Sequence, residues 1–134
     1  VKDNVLGSQI PVLVYPPQPF FLTGSRYFGT ATVYSDWDYF TKDTESIRGW
    51  LSSQGFSKLP RHSYLDKGTV EVWHANLHGM EIDVQLCLDV MAKRVIQDLM
   101  LKSTIFPNAV HSKLAMRALW DLLSEVYYAG KELK

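Results

Sequence analysis

Two β-prone runs flank Asn76–Gly79, and a chain carrying them in that order is steered into an antiparallel hairpin. Thr69–Trp73 is β-branched and aromatic, Met80–Val90 is a longer strand-like run, and turn-forming residues lie between them. A second strand-like segment is Ser35–Phe40. Side chains alternate along a strand, so Asp36 and Asp38 share one face and Trp37 and Tyr39 the other. Phe20, Phe21 and Leu22 read as a short buried strand ending at Thr23-Gly24-Ser25. Before it, Ile10 to Phe21 is apolar but carries Pro11, Pro16, Pro17 and Pro19, which predicts an extended, non-helical lead-in over residues 1–19.

Helices are predicted over Thr41–Gln54, Met91–Leu101 and Asn108–Lys131. The first has Asp43 or Thr44 as candidate caps, an Ile47, Trp50 and Leu51 stripe, and Gly55 as its stop. Pro107 separates the last two. In the final helix Val110, Leu114, Ala118, Leu119, Leu122, Val126 and Tyr127 recur on one face. The order strand, strand, helix, hairpin, helix, helix predicts one α+β domain over 1–134, a small mixed sheet with helices packed on one side. At 134 residues the chain is long enough for a single core.

The formal net charge is zero, which disfavours a long nucleic-acid partner, since such binding is driven by surplus Lys and Arg. Cys87 is the only cysteine, so the chain forms no internal disulfide and no cysteine-based zinc site, as expected of a cytoplasmic protein. No apolar run reaches the ~20 residues that a membrane span needs, and no basic stretch precedes an apolar segment as in a signal peptide.

The chemistry sits in three carboxylates. Asp36 and Asp38 share a strand face, and Asp83 lies in Met80–Leu86, a strand able to lie beside theirs. Such a group repels itself unless a divalent cation neutralises it, and oxygen ligands of this kind suit Mg²⁺ or Mn²⁺. The Gly24-Ser25 turn just upstream lets backbone approach closely and offers N–H groups and a hydroxyl to phosphate, while Arg26 offers a guanidinium fork.

Leu22 to Ala31, with Gly24-Ser25-Arg26, followed by Ser35-Asp36-Trp37-Asp38-Tyr39 and a later Asp83, resembles the signature of the DNA polymerase β-like nucleotidyltransferases. Within that superfamily it is most similar to the minimal nucleotidyltransferases, which often act as antitoxin partners of helical toxins. The resemblance implies that Asp36, Asp38 and Asp83 bind the metals and that Asp83 helps deprotonate an acceptor hydroxyl. It also implies that Gly24 and Ser25 hold phosphates of a nucleoside triphosphate. The acceptor is then a protein side chain, a small molecule or an RNA end. The alternative is a catalytically weak binding module of the same fold, such as an antitoxin-like partner of a helical toxin.

Other polar residues have plainer expectations. Asp89, on the Asp83 face at the end of the run, is a candidate ligand but is expected to cap a helix, and Glu81 on the same face is a weaker candidate ligand or a solvated strand residue. His62, His74, His78 and His111 show no paired ligand spacing and are expected at the surface. Lys93 or Lys102 would reach a triphosphate or lie on a solvated helix face. Trp50, Trp73 and Trp120 fit the core, and Tyr27 or Phe28 would stack on a base or pack inside.

Overall fold

The structure is a computed structural model that describes residues 16–29, 31–60, 68–103 and 113–132. These form strands β1 (Phe20–Thr23), β2 (Trp37–Lys42), β3 (Ser57–Lys58), β4 (Thr69–Leu77) and β5 (Met80–Cys87). The helices are α1 (Gly24–Phe28), α2 (Ile47–Ser53), α3 (Val90–Lys102) and α4 (Lys113–Glu132). The expected residues 1–15 of the lead-in, His62, Pro107, His111 and the first turn of the last predicted helix lie outside the described residues.

The strands make one mixed sheet in the order β1-β2-β5-β4-β3. Its centre is the parallel pair β2–β5, and the other pairings are antiparallel. This is the α+β class expected. The predicted hairpin is β4–β5, closed by His78 and Gly79, both at positive φ (55° and 82°). A two-residue turn with both centres left-handed matches the twist of the strands it joins.

Register assigns the faces. Phe20, Tyr39, Thr41, Ile82, Val84, Leu86 and Ala75 share one face, all buried. Ile47 and Leu51 of α2 join this cluster, and Trp50 meets Phe20 edge-on at 5.6 Å. The other face carries Asp38, Phe40, Asp83, Gln85, Val72 and His74. Here α3 covers the Phe40 end, with Lys93 Nζ 5.4 Å from the Phe40 ring and the Arg94 guanidinium 4.5 Å from Phe21. Helix contacts therefore extend to both faces of the sheet.

Boundaries moved where side chains found partners. Thr41 and Lys42 extend β2 and do not start a helix. Thr41 is fully buried, its hydroxyl donates to the Pro19 carbonyl at 2.7 Å, and it accepts from Gln18 Nε2 at 2.8 Å. The cap candidates are used elsewhere. Asp43 pairs with Arg48 at 2.7 Å, the Thr44 hydroxyl donates to Gln18 Oε1 at 2.6 Å, and Ser46 stands at the start of α2 without a side-chain cap bond. Arg48 also reaches Glu71 at 2.9 Å, tying α2 to β4. Glu71 is held below the usual carboxylate range. Burial works against this, but the Trp73 and Arg48 hydrogen bonds and the charges of Arg48 and Lys58 outweigh it.

Strand β5 ends at Cys87 because Asp89 caps α3, its Oδ1 accepting from Ala92 N at 3.0 Å. Cys87 is a buried free thiol. Among the described residues no helix is long and apolar enough to cross a membrane.

Candidate functional site

The parallel register sets Asp38 directly beside Asp83, and the antiparallel one sets Asp83 directly beside His74. Three neighbouring strands thus carry Asp38, Asp83 and His74 in a row on one face. Asp36 is exposed, one residue before β2, and its charge is felt at His74.

Gly24 stands where β1 turns into α1, at φ +70°. Thr23, its neighbour, pairs with Asp38 across the strands. A Cβ on Gly24 would lie 2.3 Å from Asp38 Oδ2, so only glycine lets the backbone pass this carboxylate. Ser25 and Arg26 follow within α1. The Arg26 guanidinium donates through Nη2 to the Ser35 carbonyl at 2.8 Å and stacks on Trp37 at 4.1 Å. It therefore holds the loop that delivers Asp36. That loop is internally braced, Ser35 N donating to the Thr32 carbonyl at 3.1 Å and Thr32 N to Ser35 Oγ at 2.9 Å.

His74 is the residue that sequence reasoning passed over. Its Nδ1 lies 2.5 Å from Asp83 Oδ1 and its Nε2 lies 2.6 Å from Glu81 Oε2. A carboxylate at each ring nitrogen asks both nitrogens to donate, which is the imidazolium form. Burial opposes that charge. The hydrogen bond to Asp83 and the charges of Asp83, Glu81 and Asp36 outweigh it and hold His74 above its ordinary value. The signal was present in the chain. With a turn centred on His78 and Gly79, counting outward pairs Asn76 with Glu81 and His74 with Asp83.

The donor set suits a hard divalent cation, being carboxylate oxygens on adjacent strands. The side chains do not converge as a preformed centre. Among the described residues no group of three or more His, Cys, Asp or Glu is gathered closely enough to hold a metal ion. Asp83 is turned to the His74 imidazole, which offers it an N–H.

The remaining candidates have structural places. Lys93 is buried, donates to Gln85 Oε1 at 2.6 Å and lies 5.0 Å from the Trp120 ring. Lys102 pairs with Asp98 one turn earlier at 2.8 Å. Tyr27 and Phe28 pack in the core. Tyr39 is fully buried on the opposite face, and burial pushes its phenol above the ordinary range. A cavity lined by Cys87, Asp89, Lys93, Trp120 and Tyr128 includes Lys93 but none of Gly24, Ser25, Arg26, Asp36, Asp38 and Asp83. The chain matches no family model, no curated protein and no solved structure.

Proposed function

We propose that the chain is a metal-dependent nucleotidyltransferase, moving a nucleoside monophosphate from a nucleoside triphosphate to a hydroxyl acceptor. The carrying observation is the β2–β5 register, which sets Asp38 beside Asp83 on one sheet face with Gly24 against Asp38. The resemblance of Gly24-Ser25-Arg26 and Asp36-Trp37-Asp38 to the nucleotidyltransferase signature supplies the chemistry that register supports.

On this reading Asp36, Asp38 and Asp83 would hold Mg²⁺ or Mn²⁺. When bound, such ions offset phosphate charge and lower the pKa of a bound hydroxyl. Gly24 gives the triphosphate close access to backbone, and Ser25 offers its hydroxyl. Asp83 accepts the proton of the attacking hydroxyl. The new bond joins that oxygen to the α-phosphorus, the bond to the bridging oxygen breaks, and pyrophosphate leaves with the electron pair. Arg26 acts by holding the Ser35–Trp37 loop, and so Asp36. The reduced Cys87 fits a cytoplasmic setting.

The test is calorimetric titration with ATP, CTP, GTP and UTP, with and without Mg²⁺, followed by transfer of α-labelled nucleotide. Binding is expected to need Mg²⁺. Asp36→Ala with Asp38→Ala is expected to abolish both binding and transfer. Transfer that persists in the double variant overturns the assignment.

A second reading, an antitoxin-like module acting by occluding a helical protein, draws on exposed apolar side chains. Met91, Val95 and Leu99 recur along α3, and Leu122 and Val126 along α4, each exposed. It expects a stoichiometric partner whose binding survives the aspartate substitutions. A chain that stays monomeric when co-expressed with its genomic neighbour rules it out.

A further inference from the structure

The β4–β5 hairpin carries an unbroken polar chain on the carboxylate face. Gly79 N donates to Asn76 Oδ1 at 3.2 Å, within the turn. Asn76 Nδ2 donates to Glu81 Oε1. Glu81 Oε2 meets His74 Nε2 at 2.6 Å, and His74 Nδ1 meets Asp83 Oδ1 at 2.5 Å. Asn76–Glu81 and His74–Asp83 are directly opposite in register, His74–Glu81 is the diagonal between those pairs, and Gly79 adds the turn backbone. A surface strand has no need of such a chain, because water satisfies isolated polar groups there. This one begins at the two-residue turn and ends on the carboxylate beside Asp38.

We propose that His74 is a positioning residue for Asp83, terminating a hydrogen-bonded chain from the β4–β5 turn that fixes the carboxylate for the second divalent ion. The inference rests on the nucleotidyltransferase reading, in which Asp83 serves that ion. His74 takes Oδ1, and Oδ2 of Asp83 accepts no hydrogen bond among the described residues. One oxygen is held while the other stays available to a hard cation. A carboxylate on a strand otherwise samples several rotamers, and hydrogen-bonded outer partners of ligating groups set ligand orientation. The assignment needs only a donor at Nδ1, which a neutral tautomer also provides. Glu81 and Asn76 act one step further out, by choosing the ring orientation of His74.

The experiment counts Mn²⁺ ions by electron paramagnetic resonance on the full chain. The probe is Mn²⁺ titrated with whichever of ATP, CTP, GTP and UTP the chain binds. Wild type is expected to take two ions and Asp83→Asn one. In His74→Leu the first ion is expected to bind as in wild type, while the second weakens by about 10–100-fold. His74→Asn, whose amide presents an N–H near the Nδ1 position, is expected to recover most of that loss. Circular dichroism checks that each variant folds, and the Leu/Asn comparison decides the matter between two folded chains. Two ions in wild type with unchanged second-ion affinity in His74→Leu overturn the positioning role and leave the functional reading standing. Equal weakening of both ions also overturns it, showing a general structural effect. No Mn²⁺–nucleotide binding by wild type overturns the functional reading and this inference together.

Discussion

Gly24 and Asp38 are locked together: a β-carbon on the glycine would sit 2.3 Å from the aspartate's Oδ2. The contact joins the start of α1 to β2, so the phosphate-cradle candidate and a metal-ligand candidate form one structural unit. Gly24→Ala is expected to cost about 1–3 kcal/mol, from its left-handed backbone and from displacement of the carboxylate. Gly29 has a similar φ of +79° but nothing within 4 Å of an added β-carbon. Gly29→Ala should therefore show the backbone cost alone. Urea unfolding of both variants, and of Gly24→Ala in an Asp38→Ala background, measures the difference. If the Gly24 cost is unchanged without the Asp38 carboxylate, the contact has no energetic weight.

His74 gives the metal-free chain a pH dependence of definite sign. Its value is raised above 6.5 in the folded state. The imidazolium therefore contributes stability that is fully present below the unfolded value and is lost as pH rises through the folded one. In EDTA, the urea midpoint of wild type is expected to fall as pH rises through neutrality. His74→Asn should lack that component. A nitrogen-15 titration of the ring would give the folded midpoint directly, and a midpoint at or below 6.5 would refute the assignment.

Arg26 braces the Asp36 loop through a hydrogen bond from Nη2 to the Ser35 carbonyl and a planar stack on Trp37, a pair of contacts that the ammonium of lysine does not make together. Arg26→Lys is expected to destabilise the fold by about 1–2 kcal/mol, part of the combined worth of a charged hydrogen bond and a cation–π contact, since lysine keeps the charge. It should also alter Trp37 fluorescence. Nucleotide binding should weaken through Asp36, and by a smaller factor than in Asp36→Ala. Wild-type stability with a changed nucleotide affinity would instead assign the guanidinium directly to phosphate.

Much of this arrangement was legible in the chain. The α+β class, the β4–β5 hairpin, the Asp89 cap and the buried Cys87 follow from local pattern, because turn chemistry, alternation and capping act over a few residues. Thr41 and Lys42 misled for the opposite reason: their partners, Phe20, Gln18 and Pro19, lie about twenty residues away, and a β-branched side chain with such contacts stays extended.

What the sequence determined by itself was the identity and order of the chemical groups: Gly24-Ser25-Arg26, Asp36 and Asp38 alternating with Trp37 and Tyr39, and Asp83 on a later β-prone run. Only the tertiary structure decided their company. Parallel pairing of β2 with β5 put Asp38 next to Asp83, and the hairpin register put His74 between Asp83 and Glu81. Local propensity carries no information about which strands become neighbours. That choice belongs to the whole core, in which Ile82, Val84 and Leu86 must all face inward at once, and a slip of one residue would bury Asp83 in their place.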